Sequence, residues 1–406
     1  NLLATETGRQ YHLVDYYGHP QAESVAVSMG SGSATIRETV DWLNRNRDGR
    51  YGVVVVRLYR PFCFEAFLDA LPDSVKRIAV LDRTKEPGSN GEPLYQDVMT
   101  TLAQGLSRGD LDRMPLVAGG RYGLSSKEFT PAMVKAVFDN LEGEAPKKRF
   151  TVGIIDDITH LSLEVDESFV VEKDNVVRAM FFGLGADGTV GANKNSIKII
   201  GSDPERYGQA YFVYDSKKSG AQTVSHLRFG PEPIDSPYLV QSANFIGCHQ
   251  FDFVFSSEIL ANAADGATLL LNSPYGPGEL WGRLPRRLQQ QIVDRNIRLY
   301  TIDAYSVARD TGMGRRINTI MQACFFKLAG VMDTDRAIGE IKKAIAKTYS
   351  KKGEKVIEMN YAAVDQSLAH LFEVEIDKGK RSEIGERPVV PEIAPIFVQD
   401  VTAEMM

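Results

Sequence analysis

Short apolar runs of strand length alternate with helix-length amphipathic stretches along most of the chain, and this alternation restricts the fold to layered α/β architecture. Residues 24–29 (SVAVSM), 51–58 (YGVVVVRL) and 76–81 (KRIAVL) read as strands, and residues 115–118 begin another. Between them, residues 30–43, 62–71, 94–106 and 131–141 carry helical patterning. Thr130 is placed to cap the last of these helices, with Pro131 at its first position. The spacing predicts Rossmann-like open α/β domains, with mostly parallel sheets and helices on both faces.

A charged, Gly- and Pro-containing stretch, EGEAPKKR at 142–149, lacks periodicity and is the predicted linker between a first domain (1–141) and a second (150–376). In the second, strands are expected at 150–155, 176–182, 209–214, 238–243, 267–271 and 297–302. Helices are expected after Thr189 and at 284–295, 315–329, 336–349 and 362–372. Residues 377–406, rich in charge and proline, read as an extended connector leading into a further domain.

The length of 406 residues suits two or three domains of ordinary size. Apolar runs such as residues 53–56 are far too short to span a bilayer. The chain begins Asn-Leu-Leu-Ala, without an initiator Met or a basic leader segment, which suggests a fragment or a processed chain without a signal peptide. A net charge of −6 argues against a dedicated nucleic-acid binder. Only Cys63, Cys248 and Cys324 are present, too few and too scattered for a disulfide framework or a four-cysteine iron–sulfur site. A reducing, cytoplasmic compartment is the expected setting.

Residues 183–194 (GLGADGTVGANK) carry the clearest chemistry. A predicted strand runs straight into Gly183, Gly185 and Gly188, and helical pattern resumes at Thr189. A turn without side chains lets backbone N–H groups approach an anion, and the helix start adds partial positive charge. The spacing satisfies G-x-G-x-x-G, so a dinucleotide site is one reading, with Asp215 placed to take a ribose diol. Ser216, Lys217 and Lys218 follow at once and favour a phosphate-rich ligand instead. The pattern misses a P-loop because Asn193 stands where glycine is required. A ligand-free structural turn is the third reading.

Residues 311–318 (TGMGRRIN) form a second glycine-rich entry to a helix, balanced between a ligand loop and a surface arginine pair. Asn360 ends a β-like Lys-Val-Ile run, where a helix cap is favoured over a ligand contact. The junction at 30–35 (GSGSAT) reads as a structural turn, Asp156 and Asp157 as a capped turn, and Cys248 as a buried thiol. The six histidines show no metal-ligand spacing, and no catalytic dyad is evident.

Segments 183–201, 214–230 and 150–166, with 14–31, 57–62 and 81–88, resemble the central part of pyruvate:ferredoxin (flavodoxin) oxidoreductases. The resemblance implies a domain like the C-terminal part of transketolase, followed by a coenzyme A-binding domain. It implies coenzyme A contacts at Ala186, Asp187, Gly188, Thr189, Val190, Lys218, Asn318 and Asn360. Thiamine diphosphate and [4Fe-4S] clusters would lie in domains absent from this chain. The expected partners are those remaining domains, ferredoxin or flavodoxin, and a second copy in a homodimer. The expected activity is oxidative decarboxylation of pyruvate to acetyl-CoA, which this chain alone would not perform. A dinucleotide-binding oxidoreductase domain and a purely structural assembly module are the alternatives.

Overall fold

The computed structural model describes residues 2–156, 158–214, 221–379, 381–385 and 390–403. The chain divides into two compact units, residues 1–171 with 235–239, and residues 172–234 with 240–406.

Within the first unit the described residues form a six-stranded sheet. Its spatial order is Val14–Gly18, Tyr51–Val56, Ser24–Ser28, Arg77–Asp82, Leu116–Arg121 and Arg149–Thr151. Every pairing is parallel except the outermost, where Val14–Gly18 runs antiparallel to Tyr51–Val56. The central strands Ser24–Ser28 and Tyr51–Val56 are buried throughout, as unbroken apolar runs must be when helices cover both faces. Helix Pro131–Glu142 starts as its sequence dictates, with Thr130 Oγ1 accepting from Met133 N at 3.4 Å.

The second unit is built on a seven-stranded sheet, in the order Phe372–Glu373, Arg298–Ile302, Ala263–Asn272, Ala243–Cys248, Val177–Leu184, Gln222–Gly230 and Tyr207–Tyr214. The four strands from Arg298–Ile302 to Val177–Leu184 are mutually parallel; the flanking pairings are antiparallel. Two-residue alternation divides Val177–Leu184 between two cores. Ala179 and Phe181 face helices Thr189–Ile200 and Asn318–Ala329, while Met180 and Phe182 face the short helices between 253 and 294.

Four expectations need correction. The predicted linker at 142–149 does not divide the units. It is a loop joining helix Pro131–Glu142 to Arg149–Thr151, which completes the first sheet beside Leu116–Arg121. A polar Gly/Pro loop has the same composition inside a domain as between domains, so composition could not separate the cases. The strand expected at 238–243 starts instead at Ala243 and runs to Cys248. Tyr238 belongs to the first unit, where its hydroxyl donates to Glu38 at 2.9 Å. Gln222–Gly230 is an additional strand between Tyr207–Tyr214 and Val177–Leu184. Lastly, Lys355-Val-Ile is no strand: helix Glu354–Ser367 contains it, and Asn360 sits in mid-helix rather than at a cap.

The expected connector, 377–406, is irregular at 377–379 and 381–385 but is helical rather than extended over 396–403, where Val398–Thr402 is a π-helical turn. It is tied down where Asp377 O accepts from Trp281 Nε1 (3.0 Å), Ser382 N donates to Gln289 Oε1 (2.7 Å) and Ile384 O accepts from Arg286 N (3.0 Å). Among the described residues no helix is long and apolar enough to cross a membrane, and no group of His, Cys, Asp and Glu could hold a metal ion.

Candidate functional site

In an open α/β sheet the ligand crevice opens beyond the carboxyl ends of adjacent strands whose following helices turn to opposite faces. Strands Val177–Leu184 and Ala243–Cys248 meet that condition. The first leads into helix Thr189–Ile200 in one core and the second into Phe253–Ser256 in the other. The glycine-rich turn and the pair His249–Gln250 therefore share one rim.

The turn is held by its own aspartate. Asp187 Oδ2 accepts from Leu184 N and Oδ1 from Thr189 N, both at 2.8 Å. Gly185 N donates to Ala221 O at 2.8 Å, tying the turn to the start of the neighbouring strand. Ala186 (φ 82°) and Gly188 (φ 90°) both take left-handed backbone, which glycine adopts without strain. At Gly183 a Cβ would come within 2.4 Å of Thr189 Oγ1, so the helix start can close on the strand only because no side chain intervenes.

Thr189 is fully buried, and its hydroxyl lies 2.7 Å from His249 Nδ1. His249 N donates to Phe182 O at 2.9 Å, and Gln250 Nε2 donates to Asp187 at 3.3 Å. Thr189 and Asp187 thus shape the turn with their side chains. Among the described residues the amides of Gly188, Val190 and Gly191 meet no acceptor, while Thr189 N, the first amide of helix Thr189–Ile200, is taken by Asp187. Such a helix start is matched to an anion.

A second helix start meets the first. Helix Asn318–Ala329 has no side-chain cap at Ile317, and Asn318 lies against Gly188, with a Cβ built there 3.1 Å from the amide carbon and nitrogen. Behind the junction, Gln322 Nε2 donates to Ser196 Oγ (2.9 Å) and Ala192 O (3.2 Å), locking the two helices together. Asn193 Nδ2 is buried without a partner.

The dinucleotide reading loses its geometry here. It needs the next strand in sequence beside Val177–Leu184, but Gln222–Gly230 occupies that place. Tyr214 is thereby two strand spacings from Gly183, roughly 10 Å. Asp215, Lys217 and Lys218 lie outside the described residues.

The sequence profile of the family described as pyruvate ferredoxin/flavodoxin oxidoreductase matches residues 178–369, and that of pyruvate:ferredoxin oxidoreductase core domain II matches residues 22–121. The chain belongs to the pyruvate ferredoxin/flavodoxin oxidoreductase family. It is 60% identical to a pyruvate-flavodoxin oxidoreductase of Rhodospirillum rubrum over its whole length, covering 34% of that protein. It is 57% identical to a putative pyruvate-flavodoxin oxidoreductase of Synechocystis, with 98% of this chain and 33% of the relative covered. With a pyruvate:ferredoxin oxidoreductase of Moorella thermoacetica the identity is 52%, over 98% of this chain and 34% of the relative. The chain thus spans about a third of the length of these relatives.

Of the residues implied by family resemblance, Ala186 to Val190 form one turn and Asn318 packs on it. Asn360 is fully buried; its Nδ2 donates to Val356 O at 2.7 Å and its Oδ1 has no partner. Sequence reasoning missed His249 and Gln250 as supports of the turn. Their position just past a strand was hidden because that strand was expected five residues too early. Cys248 is the buried thiol expected, pushed up to about 12 by burial, and is unsuited to nucleophilic chemistry.

Burial also holds His249 neutral, lowering its pKa to about 4 despite the nearby negative charge of Asp187. Burial lowers His226 to about 4 as well, with Arg228 adding to the effect. Below the unfolded value of 6.5 the unfolded chain binds these protons and the folded one does not. Stability of the second unit is therefore expected to be full above pH 6.5 and to fall by a few kcal/mol as the pH drops towards 4. Urea denaturation at stepped pH checks this, and a His226→Gln variant should show a shallower fall.

Proposed function

We propose that this chain supplies the coenzyme A pocket of a 2-oxoacid oxidoreductase. The observation that carries the reading is the junction of two helix starts at Gly188 and Asn318, neither capped by the side chain of its own N-cap residue. The donor set fits a phosphate: amides of Gly188, Val190 and Gly191 without acceptors, at a position where a Cβ would intrude. Asp187 and Thr189 hold that turn in shape, Ala186 and Val190 complete its wall, and Asn318 closes its far side. Lys218 would add a point charge for the phosphates. Asn360 offers an unpartnered buried amide oxygen for a polar group of the ligand.

Coenzyme A, when bound, supplies the thiol that accepts an acyl group. The part of this chain is positioning: holding the phosphates fixes where the other end of a long ligand can reach, and fixed geometry can replace a large entropic barrier. In the whole polypeptide the reaction would be oxidative decarboxylation of pyruvate to acetyl-CoA, with electrons passing to ferredoxin or flavodoxin. Thiamine diphosphate and iron–sulfur clusters would be held by the parts of the longer relatives that this chain does not cover. We assign to the first unit a role like that of the C-terminal domain of transketolase, and to the complete enzyme a cytoplasmic homodimer. This chain alone is expected to show no pyruvate turnover.

Titration calorimetry with coenzyme A and with NAD separates the readings. Saturable heat with coenzyme A and none with NAD is expected. Binding of NAD in preference to coenzyme A would overturn the assignment.

A further inference from the structure

The second glycine-rich segment, Thr311 to Ile317, is not used by the coenzyme A reading beyond the asparagine that follows it. Gly312 (φ 78°) and Gly314 (φ 66°) turn the chain sharply between helices Ala304–Asp310 and Asn318–Ala329. Gly312 is backed by Met359, whose sulfur would lie 2.8 Å from a Cβ, so the loop rests on helix Glu354–Ser367. Met313 and Ile317 are buried and anchor both ends. Between these anchors Arg315 and Arg316 are exposed, and among the described residues neither has an ion-pair partner. The preceding acid, Asp310, is taken by Arg309 at 3.8 Å. Two unneutralised guanidinium groups thus sit two and three residues before the asparagine that touches Gly188.

The inner turn and this outer loop differ in charge. The inner turn offers amides but carries the Asp187 carboxylate, bonded to Leu184 N and Thr189 N, which repels a second negative charge. It suits a phosphate diester oxygen bearing one charge. The outer loop offers two cations and, in Asp310, an acid already paired. A terminal phosphomonoester carries nearly two charges at neutral pH and three acceptor oxygens, and guanidinium groups meet such a group with paired N–H donors.

We infer that Arg315 and Arg316 are specificity-determining residues that recognise a phosphomonoester on the ligand, separate from the phosphates held by the glycine turn. This rests on the coenzyme A reading, in which the monoester is the 3′-phosphate of the ribose. The pair selects coenzyme A over the otherwise identical dephospho-coenzyme A, while the glycine turn binds both.

The test is calorimetric titration of this chain and of its R315Q/R316Q double variant with coenzyme A and with dephospho-coenzyme A. Both substitutions are at exposed positions, and matching circular dichroism and denaturation curves check that the fold is kept. The parent chain is expected to prefer coenzyme A by about tenfold or more, as loss of charge-assisted bonds implies. The double variant should lose that preference, with dephospho-coenzyme A affinity nearly unchanged. A preference that survives in the double variant, or equal affinities in the parent, overturns the role of the arginines while leaving the coenzyme A pocket standing. No binding of either form by the parent overturns both readings together.

Discussion

Phe325→Ala is expected to destabilise the second unit by about 3–5 kcal/mol, the usual cost of removing a buried aromatic ring. Phe325 is 1% exposed at the centre of the core between the sheet and helix Asn318–Ala329. Its ring meets Phe245 at 5.0 Å, Phe181 at 5.1 Å, Phe326 at 5.4 Å and Phe229 at 6.1 Å between centroids, the first two edge to face. Strands on either side of the crevice and the helix that carries Asn318 are therefore joined through this one side chain. Urea denaturation followed by far-ultraviolet circular dichroism measures the loss. Phe325→Leu, which keeps most of the volume, should cost much less. Equal costs for the two variants would mean that the cavity collapses freely and that the aromatic cluster does not hold the helix in place.

Gly188→Val should have the largest effect on ligand binding for its effect on stability. The backbone there has φ 90°, and a β-branched residue in that region costs on the order of 1–3 kcal/mol. The new Cβ would press on the amide of Asn318 at 3.1 Å, so the two helix starts must separate or the turn must change its conformation. Either response moves the unpaired amides of Val190 and Gly191. Coenzyme A affinity is expected to fall by at least about tenfold, which corresponds to roughly 1.4 kcal/mol. Gly188→Ala brings the same first contact without the branch and should fall between parent and Val. Unchanged affinity in the Val variant, with the fold intact, would remove this turn from the site.

Much of the architecture was legible because burial leaves a local signature. Strands covered on both faces need unbroken apolar runs, which is why Ser24–Ser28 and Tyr51–Val56 stand out in the sequence. Capping chemistry is equally local, and Thr130 with Pro131 announces its helix in two residues. Gln222–Gly230 gave no such signal. Its Arg228 and His226 are buried polar residues whose partners lie far away in sequence, including Glu172, which Arg228 meets at 2.7 Å. Lys355-Val-Ile misled for the opposite reason. Three residues show no helical period, and the packing of helix Glu354–Ser367 on its neighbours overrides their β-like appearance.

For the site, the sequence by itself determined the turn. Gly183, Gly185 and Gly188 between a strand and a helix leave few conformations open, and Asp187 can reach the amides on either side of itself. What that turn faces was decided only by tertiary structure. Asn318, 130 positions later in the chain, lies against Gly188 because Gln322 locks its helix to Ala192 and Ser196. His249 reaches Thr189 because its strand pairs with the one leading into the turn. The insertion of Gln222–Gly230 beside that strand displaces the position a dinucleotide ribose would use. Local chemistry sets how a few adjacent residues bend, but the identity of a ligand depends on groups brought together from distant segments, and only packing specifies those.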